Sequence, residues 1–356
     1  KYFDFLKFPG PVKVVNPDIE MILLLDHSQS NSFIGDEDSK IPCYFGRVIG
    51  RGGMRSEIKK YDLKKRLYVG PTSLDHSLAL IMANLSNIKQ GSLVFDPFVG
   101  TGSILISLSH FGAICTGFDI DSRVLHGEMY AGHGDRSIKR NIYENFKSYN
   151  LPLPELIRMD NHLLDRHMKS NEGIFDCIVT DPPYGIRAGA RKSGRKDPVQ
   201  IERREDHIPT TQIYAVEEVM LDLLHSAARF LVLGGRLSYL IPTTYDFSID
   251  DLPTHPCLQI KYLCCQPLSS RHGRHCVVME KLFPYTREYE NQYNIYKNEI
   301  LSNNSDHGFA KLKGKLELAL SVEGIYNDNV VKNISNSAIK RREAKERRKE
   351  FKIESM

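Results

Sequence analysis

The stretch Phe175–Arg187, FDCIVTDPPYGIR, constrains the chain more than any other. Phe175, Cys177, Ile178 and Val179 form a short apolar, partly β-branched run, the length of a buried strand. The run stops at Asp181-Pro182-Pro183-Tyr184-Gly185, because prolines cannot donate to a sheet ladder and hold the backbone extended. A carboxylate and a phenol are left on a stiff turn at a strand's carboxyl end, where open α/β sheets bind their ligands. Such a turn suits a planar nitrogen with a delocalised lone pair, as in an exocyclic base amine or a carboxamide. Asp181 and a proline carbonyl accept its protons, and Tyr184 offers a ring to stack on its flat face. Taken alone, these residues are also ordinary turn vocabulary, so their partners upstream carry the decision.

Upstream, Leu93-Val94-Phe95 reads as a second buried strand. It enters the turn Asp96-Pro97-Phe98-Val99-Gly100-Thr101-Gly102, which is followed by helical Ile104–Leu108. A Gly-rich strand-to-helix turn lets a ligand approach the backbone, although this one lacks the third glycine of the dinucleotide fingerprint. The pattern Leu78, Ile81, Met82, Leu85 and Ile88 predicts a preceding helix, with Thr72 or Ser73 as its cap and Gly91 at its close. Ala113–Phe118 reads as the next strand and ends in Asp119-Ile120-Asp121. Asp119 lies nineteen positions after Gly100, close to the spacing at which an acid takes up ribose hydroxyls; Asp121 ranks behind it. Leu156–Met159 reads as a third short strand ending in Asp160-Asn161, placed to meet an adenine edge. Beyond the opening stretch, Val216–Leu231 reads as an apolar-faced helix ended by Gly234-Gly235, with strands at Arg236–Ile241, Ile260–Cys265 and Cys276–Leu282. These βαβ units, with acids at successive strand ends, predict an α/β fold: a doubly wound, mostly parallel, seven-stranded Rossmann-like sheet.

Charge matters here by placement, since the net formal charge is only +4. Basic residues crowd into Arg51–Arg66, Arg187–Arg204 and Lys340–Lys352. The first reads as a solvated linker or as a phosphate-contacting surface. The second directly follows the proline turn, so Arg187, Arg191, Lys192, Arg195 and Lys196 are candidates to hold a polyanionic substrate; a solvated loop is the alternative. Arg271-His272-Gly273-Arg274-His275 carries the same two readings. No stretch approaches 18 apolar residues, which excludes a membrane helix. Seven cysteines without C-x-x-C spacing argue against a disulfide framework and a zinc site, and point to a reducing compartment such as the cytoplasm. The first ten residues, KYFDFLKFPG, carry neither an initiator Met nor a signal-peptide pattern, as expected of a fragment.

Taken together, DPFVGTG at 96–102, FDID at 118–121, MDN at 159–161 and TDPPYGIR at 180–187 resemble the class I S-adenosylmethionine-dependent methyltransferases that modify amino groups. The flanks YFDFLKFPGPVKVVNPDIE, PTSLDHSLALIMANL and LVLGGRLSYLIP narrow the resemblance to the tRNA (guanine-N2)-methyltransferases that act on the guanosine at tRNA position 10. The resemblance covers roughly residues 1–283. It implies that Asp96, Phe98, Gly100, Thr101 and Gly102 line the methionine part of S-adenosyl-L-methionine. Asp119 and Ile120 would lie at its ribose, Asp160 and Asn161 at its adenine, with Thr72 and Ser73 approaching from the preceding helix. Asp181, Pro182, Pro183 and Tyr184 would hold the guanine amine, with Asp181 also bordering the cofactor.

The same resemblance implies tRNA and a small zinc-binding activator subunit as partners. It divides the chain into the carboxyl part of a THUMP-like RNA-binding domain (1–50), a basic linker (51–68), a methyltransferase domain (69–283) and a polar, charged extension (284–356). Two rivals stay open. One is an amino-methyltransferase acting on DNA adenine or protein glutamine; the other is a non-catalytic RNA-binding subunit with a relic cofactor fold.

Overall fold

The computed structural model describes residues 10–11, 13, 15–26, 42–50, 52, 59–128, 140–168, 172–184, 190–194, 211–268, 272–302, 309, 312 and 314–315. The chain divides into two compact units, residues 1–61 and 62–356. In the first, strands β1 (Met21–Leu25) and β2 (Cys43–Arg47) pair antiparallel, with Met21 opposite Arg47 and Leu25 opposite Cys43. Two strands cannot cover their own apolar faces, and Ile22, Leu24, Tyr44 and Phe45 are all exposed.

The second unit is built on one sheet of β3 (Leu93–Asp96), β4 (Ile114–Asp119), β5 (Glu155–Arg158), β6 (Phe175–Thr180), β9 (Leu231–Thr244), β10 (Leu258–Pro267) and β11 (His272–Lys281). The short ribbon of β7 (Arg191–Ser193) and β8 (Thr211–Ile213) stands apart from it. The sheet order is β10-β11-β9-β6-β3-β4-β5. β3 pairs parallel with both β4 and β6, whereas β11 runs antiparallel to its neighbours β9 and β10. The doubly wound, mostly parallel seven-stranded sheet expected from the sequence is present. Its order reverses between β3 and β6, the point at which such sheets open a ligand crevice.

Helices cover both faces: α1 (His76–Leu85), α2 (Ser103–His110), α3 (Ser122–His126), α4 (Ile142–Ser148), α5 (Leu164–His167), α6 (Val216–Phe230) and α7 (Arg287–Leu301). Met220, Leu221, Leu223, Leu224 and Ala227 turn one side of α6 onto Ile178, Leu237 and Tyr239 of the sheet. Phe95 stacks on Phe175 at 5.0 Å and meets Phe118 edge-on at 4.7 Å, so β3 is locked between its two parallel neighbours.

Several local expectations give way. Asp75 caps α1, its carboxylate accepting from Ser77 N–H at 2.9 Å, whereas Ser73 Oγ accepts from Gly70 N–H and sits 2.7 Å from Thr101 Oγ1. The helix stops at Leu85, before Ile88 and Gly91, where Ser86 Oγ donates back to Met82 O. Gly234-Gly235 does not end α6: the helix passes straight into β9, and the glycines lie within that strand, where the β6–β9 register shifts. Residues 62–68 are not linker, since Arg66 and Tyr68 are buried and Arg66 donates to Ser103 Oγ at 2.9 Å. The unit also runs past residue 283. Tyr293 and Ile300 of α7, with Phe309 and Leu312, join the main core, and Tyr293 Oη donates to Leu221 O at 2.7 Å. The basic run 340–352 lies outside the described residues.

Candidate active site

Four acids stand at or just past the carboxyl ends of four parallel strands, β6, β3, β4 and the edge strand β5. Asp96, at the end of β3, is 1% exposed. Its Oδ1 accepts from Thr180 Oγ1 at 2.7 Å and from Phe98 N–H at 3.0 Å, while Oδ2 is buried with no hydrogen-bond partner among the described residues. Burial, reinforced by the nearby charges of Asp181 and Asp119, pushes the Asp96 carboxyl up to about 7. An orphaned carboxylate oxygen in such a place is a seat for a donor or a cation.

The turn that follows is shaped for close approach. Gly100 and Gly102 both take positive φ, +49° and +77°, a region that side-chain-bearing residues rarely enter. A Cβ on Gly102 would lie 2.8 Å from Ile142 Cγ2, whereas one at Gly100 would meet nothing within 4 Å, so the Gly100 backbone borders open space. Thr101 is buried against Ser73; Thr72 is exposed.

At the end of β4, Asp119 Oδ2 accepts from Gly100 N–H at 3.0 Å and Oδ1 from Asp121 N–H at 2.9 Å. The acid therefore ties the Gly turn to the second strand, and burial raises its carboxyl above the ordinary range. Asp121 has a different task, capping α3 and pairing with Arg123, which holds its carboxyl low. Ile120 follows, half-buried, its carbonyl accepting from Arg158 Nε at 3.3 Å. Beyond β5, Asp160 accepts from His162 N–H at 3.0 Å and Ser193 N–H at 2.5 Å. The neighbouring Asn161 is 6% exposed, and neither polar atom of its carboxamide makes a well-formed hydrogen bond among the described residues.

Past β6, Asp181 Oδ1 accepts from the Tyr184 phenol at 2.5 Å, and that phenol also lies 2.5 Å from Leu240 O on β9. Tyr184 thus pins the turn to β9 through its oxygen, a bond the sequence reading of a stacking ring did not contain. Burial raises the Asp181 carboxyl, against the Tyr184 hydrogen bond and the positive charge of Arg274. Pro182 is buried and Pro183 half-buried between them.

The basic candidates separate. Arg191 is exposed, its guanidinium donating to Thr211 Oγ1 at 3.1 Å. Lys192 is not available as a free cation: it is buried, and both oxygens of Glu218 accept from its Nζ at 2.8 and 2.9 Å. Arg187, Arg195 and Lys196 lie outside the described residues. Sequence reasoning passed over Thr180, which bridges β6 to Asp96, and Tyr214, which packs with Ala190, Val219 and Phe98 beside the Asp160 turn. A hydroxyl directly before the Asp-Pro-Pro turn was the available signal for Thr180; Tyr214 lies in no motif.

S-adenosyl-L-methionine fits this donor set. The orphaned Asp96 oxygen suits an ammonium group, the open Gly100 backbone suits close approach of the ligand, and the buried Asn161 carboxamide, beside Tyr214, suits a heterocycle edge. Among the described residues no cluster of three or more His, Cys, Asp or Glu is placed to hold a metal ion. No described helix is long and apolar enough to cross a membrane.

The sheet order with this acid series defines a class I methyltransferase fold, and residues 64–196 match the UPF0020 family, an RMKL-like methyltransferase domain. The chain is 43% identical over 265 residues to tRNA (guanine(10)-N(2))-methyltransferase TRMT11 of Dictyostelium discoideum, covering 72% of this chain and 50% of that protein. It is 40% identical over 298 residues to TRMT11 of Mus musculus, covering 81% and 63%. By sequence the chain is similar to these TRMT11 proteins over most of its own length. It spans between half and just under two-thirds of the length of these curated relatives. The crystal structure of TrmN from Thermus thermophilus aligns over 67% of this chain and 57% of its own, at 19% identity and a TM-score of 0.41.

Proposed function

We propose that this chain carries the catalytic part of a tRNA methyltransferase that methylates the exocyclic N2 of guanosine at tRNA position 10. The activity of the TRMT11 relatives supplies the substrate. The observation that carries the chemistry is Asp181, fixed just past β6 beside the switch point, with only Oδ1 engaged among the described residues. Oδ2 and the carbonyl of Pro182, a residue with no N–H to compete, accept hydrogen bonds from the two N–H groups of the guanine amine and aim its lone pair. Positioning does most of the work, because an amine needs little general-base help until it is methylated.

S-adenosyl-L-methionine supplies an electrophilic methyl group on a sulfonium. Asp96 and Gly100 hold its amino-acid end, Asp119 its ribose, and Asp160 with Asn161 its adenine. Because Thr180 joins Asp96 to β6, the cofactor and amine sites share one rigid border. Exposed Arg191 and the basic residues of 187–204 other than Lys192 serve the tRNA backbone. Residues 1–50 are the carboxyl part of a THUMP-like domain, and a small zinc-binding activator subunit is the expected partner. Seven free cysteines accord with a reducing, cytoplasmic setting.

The test is methyl transfer from labelled cofactor to unmodified tRNA transcripts carrying guanosine or adenosine at position 10, with and without the activator. Guanosine-dependent labelling is the expected result. Labelling that ignores position 10, or that appears on DNA or a glutamine-bearing protein, contradicts the proposal.

A further inference from the structure

Asp222, on α6, is the meeting point of three segments that are remote in sequence. It is 8% exposed. Its Oδ2 lies 2.5 Å from Tyr214 Oη and 2.7 Å from His162 Nδ1, and its Oδ1 accepts from Lys297 Nζ on α7 at 2.5 Å. His162 follows Asp160-Asn161 directly, and its ring meets Tyr214 edge to face at 5.4 Å. Tyr214 in turn packs with Phe98 of the Gly-rich turn, and its N–H donates to Ala190 O at 3.0 Å. Asp222 therefore holds two side chains beside the Asp160 turn, and Lys297 holds Asp222.

We propose that Lys297 is a positioning residue for cofactor binding, acting through Asp222 on Tyr214 and His162. This rests on the reading that places the cofactor's adenine beside Asp160 and Asn161. The physical reason is the acceptor count. An ionised Asp222 can accept from the phenol, the imidazole and the ammonium together; a protonated one must spend a hydrogen and gives up an acceptor position. Burial works against ionisation, but His162 and Lys297 together hold the Asp222 carboxyl below its usual range. Removing Lys297 takes away the cation and leaves a buried charge, to which Tyr214 and His162 adjust by moving. Helix α7 then belongs to the cofactor pocket even though it lies beyond the residues of the methyltransferase-domain match.

The experiment compares wild-type protein, Lys297→Met and Lys297→Arg, measuring the cofactor Kd by calorimetry and the kcat and cofactor KM of methyl transfer. Lys297→Met should weaken cofactor binding about tenfold and raise KM in step, with kcat at saturating cofactor within about twofold; Lys297→Arg should restore wild-type values. Combined with Tyr214→Phe, the loss should be less than additive, since both variants cut the same chain of contacts. If Lys297→Met does not fold, Asp222→Asn carries the same expectation. Unchanged cofactor affinity in a folded Lys297→Met, or strict additivity with Tyr214→Phe, overturns the inference alone. A wild-type protein that binds no cofactor overturns the functional reading, and this inference with it.

Discussion

Thr180 Oγ1 donates to Asp96 Oδ1 at 2.7 Å, joining the ends of β6 and β3 across the point where the sheet order reverses. The bond satisfies one oxygen of Asp96 and leaves the other orphaned in a dry place, with the carboxyl pushed up to about 7. A ligand ammonium at that oxygen favours the ionised form and lowers the value again. Cofactor binding should therefore release a proton between the ordinary carboxylate range and pH 7, so affinity climbs with pH and levels off above about 7. Calorimetry in two buffers of different ionisation enthalpy reads the proton directly. Asp96→Asn should bind weakly and lose the pH dependence.

The Tyr184 hydroxyl, with one hydrogen, faces two acceptors at 2.5 Å, Asp181 Oδ1 and Leu240 O. If its hydroxyl positions the carboxylate, Tyr184→Phe should lower kcat by about tenfold or more while sparing cofactor affinity, even though the ring is kept. The hydrogen bond lowers the Asp181 carboxyl, so its loss raises that carboxyl further, and the acid limb of the kcat profile should move to higher pH. A purely stacking tyrosine would leave both rate and profile unchanged.

Lys192 and Arg191 are adjacent in sequence and opposite in consequence. Lys192→Met breaks a buried ion pair with Glu218 and should cost on the order of 2 kcal/mol of stability in denaturant unfolding. Arg191→Ala, at an exposed site, should leave stability within about 0.5 kcal/mol and weaken RNA binding with a reduced salt slope.

Acid should destabilise the methyltransferase unit through His255. Its imidazole is buried, accepts from Cys257 N–H at 3.1 Å and lies near His225 and Lys281; burial first, then those charges, push it down to about 3. Between the ordinary value of 6.5 and about 3 the unfolded chain binds a proton that the folded chain refuses, so stability falls as pH falls through that window. Unfolding midpoints across pH 4 to 7 should show this acid limb, shallower in His255→Phe.

The parts of the site that were legible in the sequence are those written locally. Strands β3, β4 and β6 are short, largely apolar runs, the edge strand β5 keeps only Leu156-Ile157 between two charges, and Asp96, Asp119, Asp160 and Asp181 end or follow them, so chain order alone places four acids along one side of the sheet. What escaped depends on partners far along the chain. Lys192 reads as a free cation until Glu218, 26 positions on, packs against it. Asp222 reads as an ordinary charge on a helix, since Tyr214, His162 and Lys297 meet only in the fold. Helix α7 was missed because its buried side is carried largely by tyrosines, whose hydroxyls hide an apolar stripe through Tyr289, Tyr293, Tyr296 and Ile300. The glycines at 234–235 read as a helix stop because a strand irregularity and a helix end share the same residue.

In the proposed function Asp181 serves the amine and not the cofactor's hold on the protein. Asp181→Ala, measured for cofactor affinity by calorimetry and for transfer to tRNA in a single turnover, tests it most directly. The expected result is a cofactor Kd within about twofold of wild type and transfer reduced by about a thousandfold or more. Cofactor binding lost in step with transfer, or transfer retained, would contradict it.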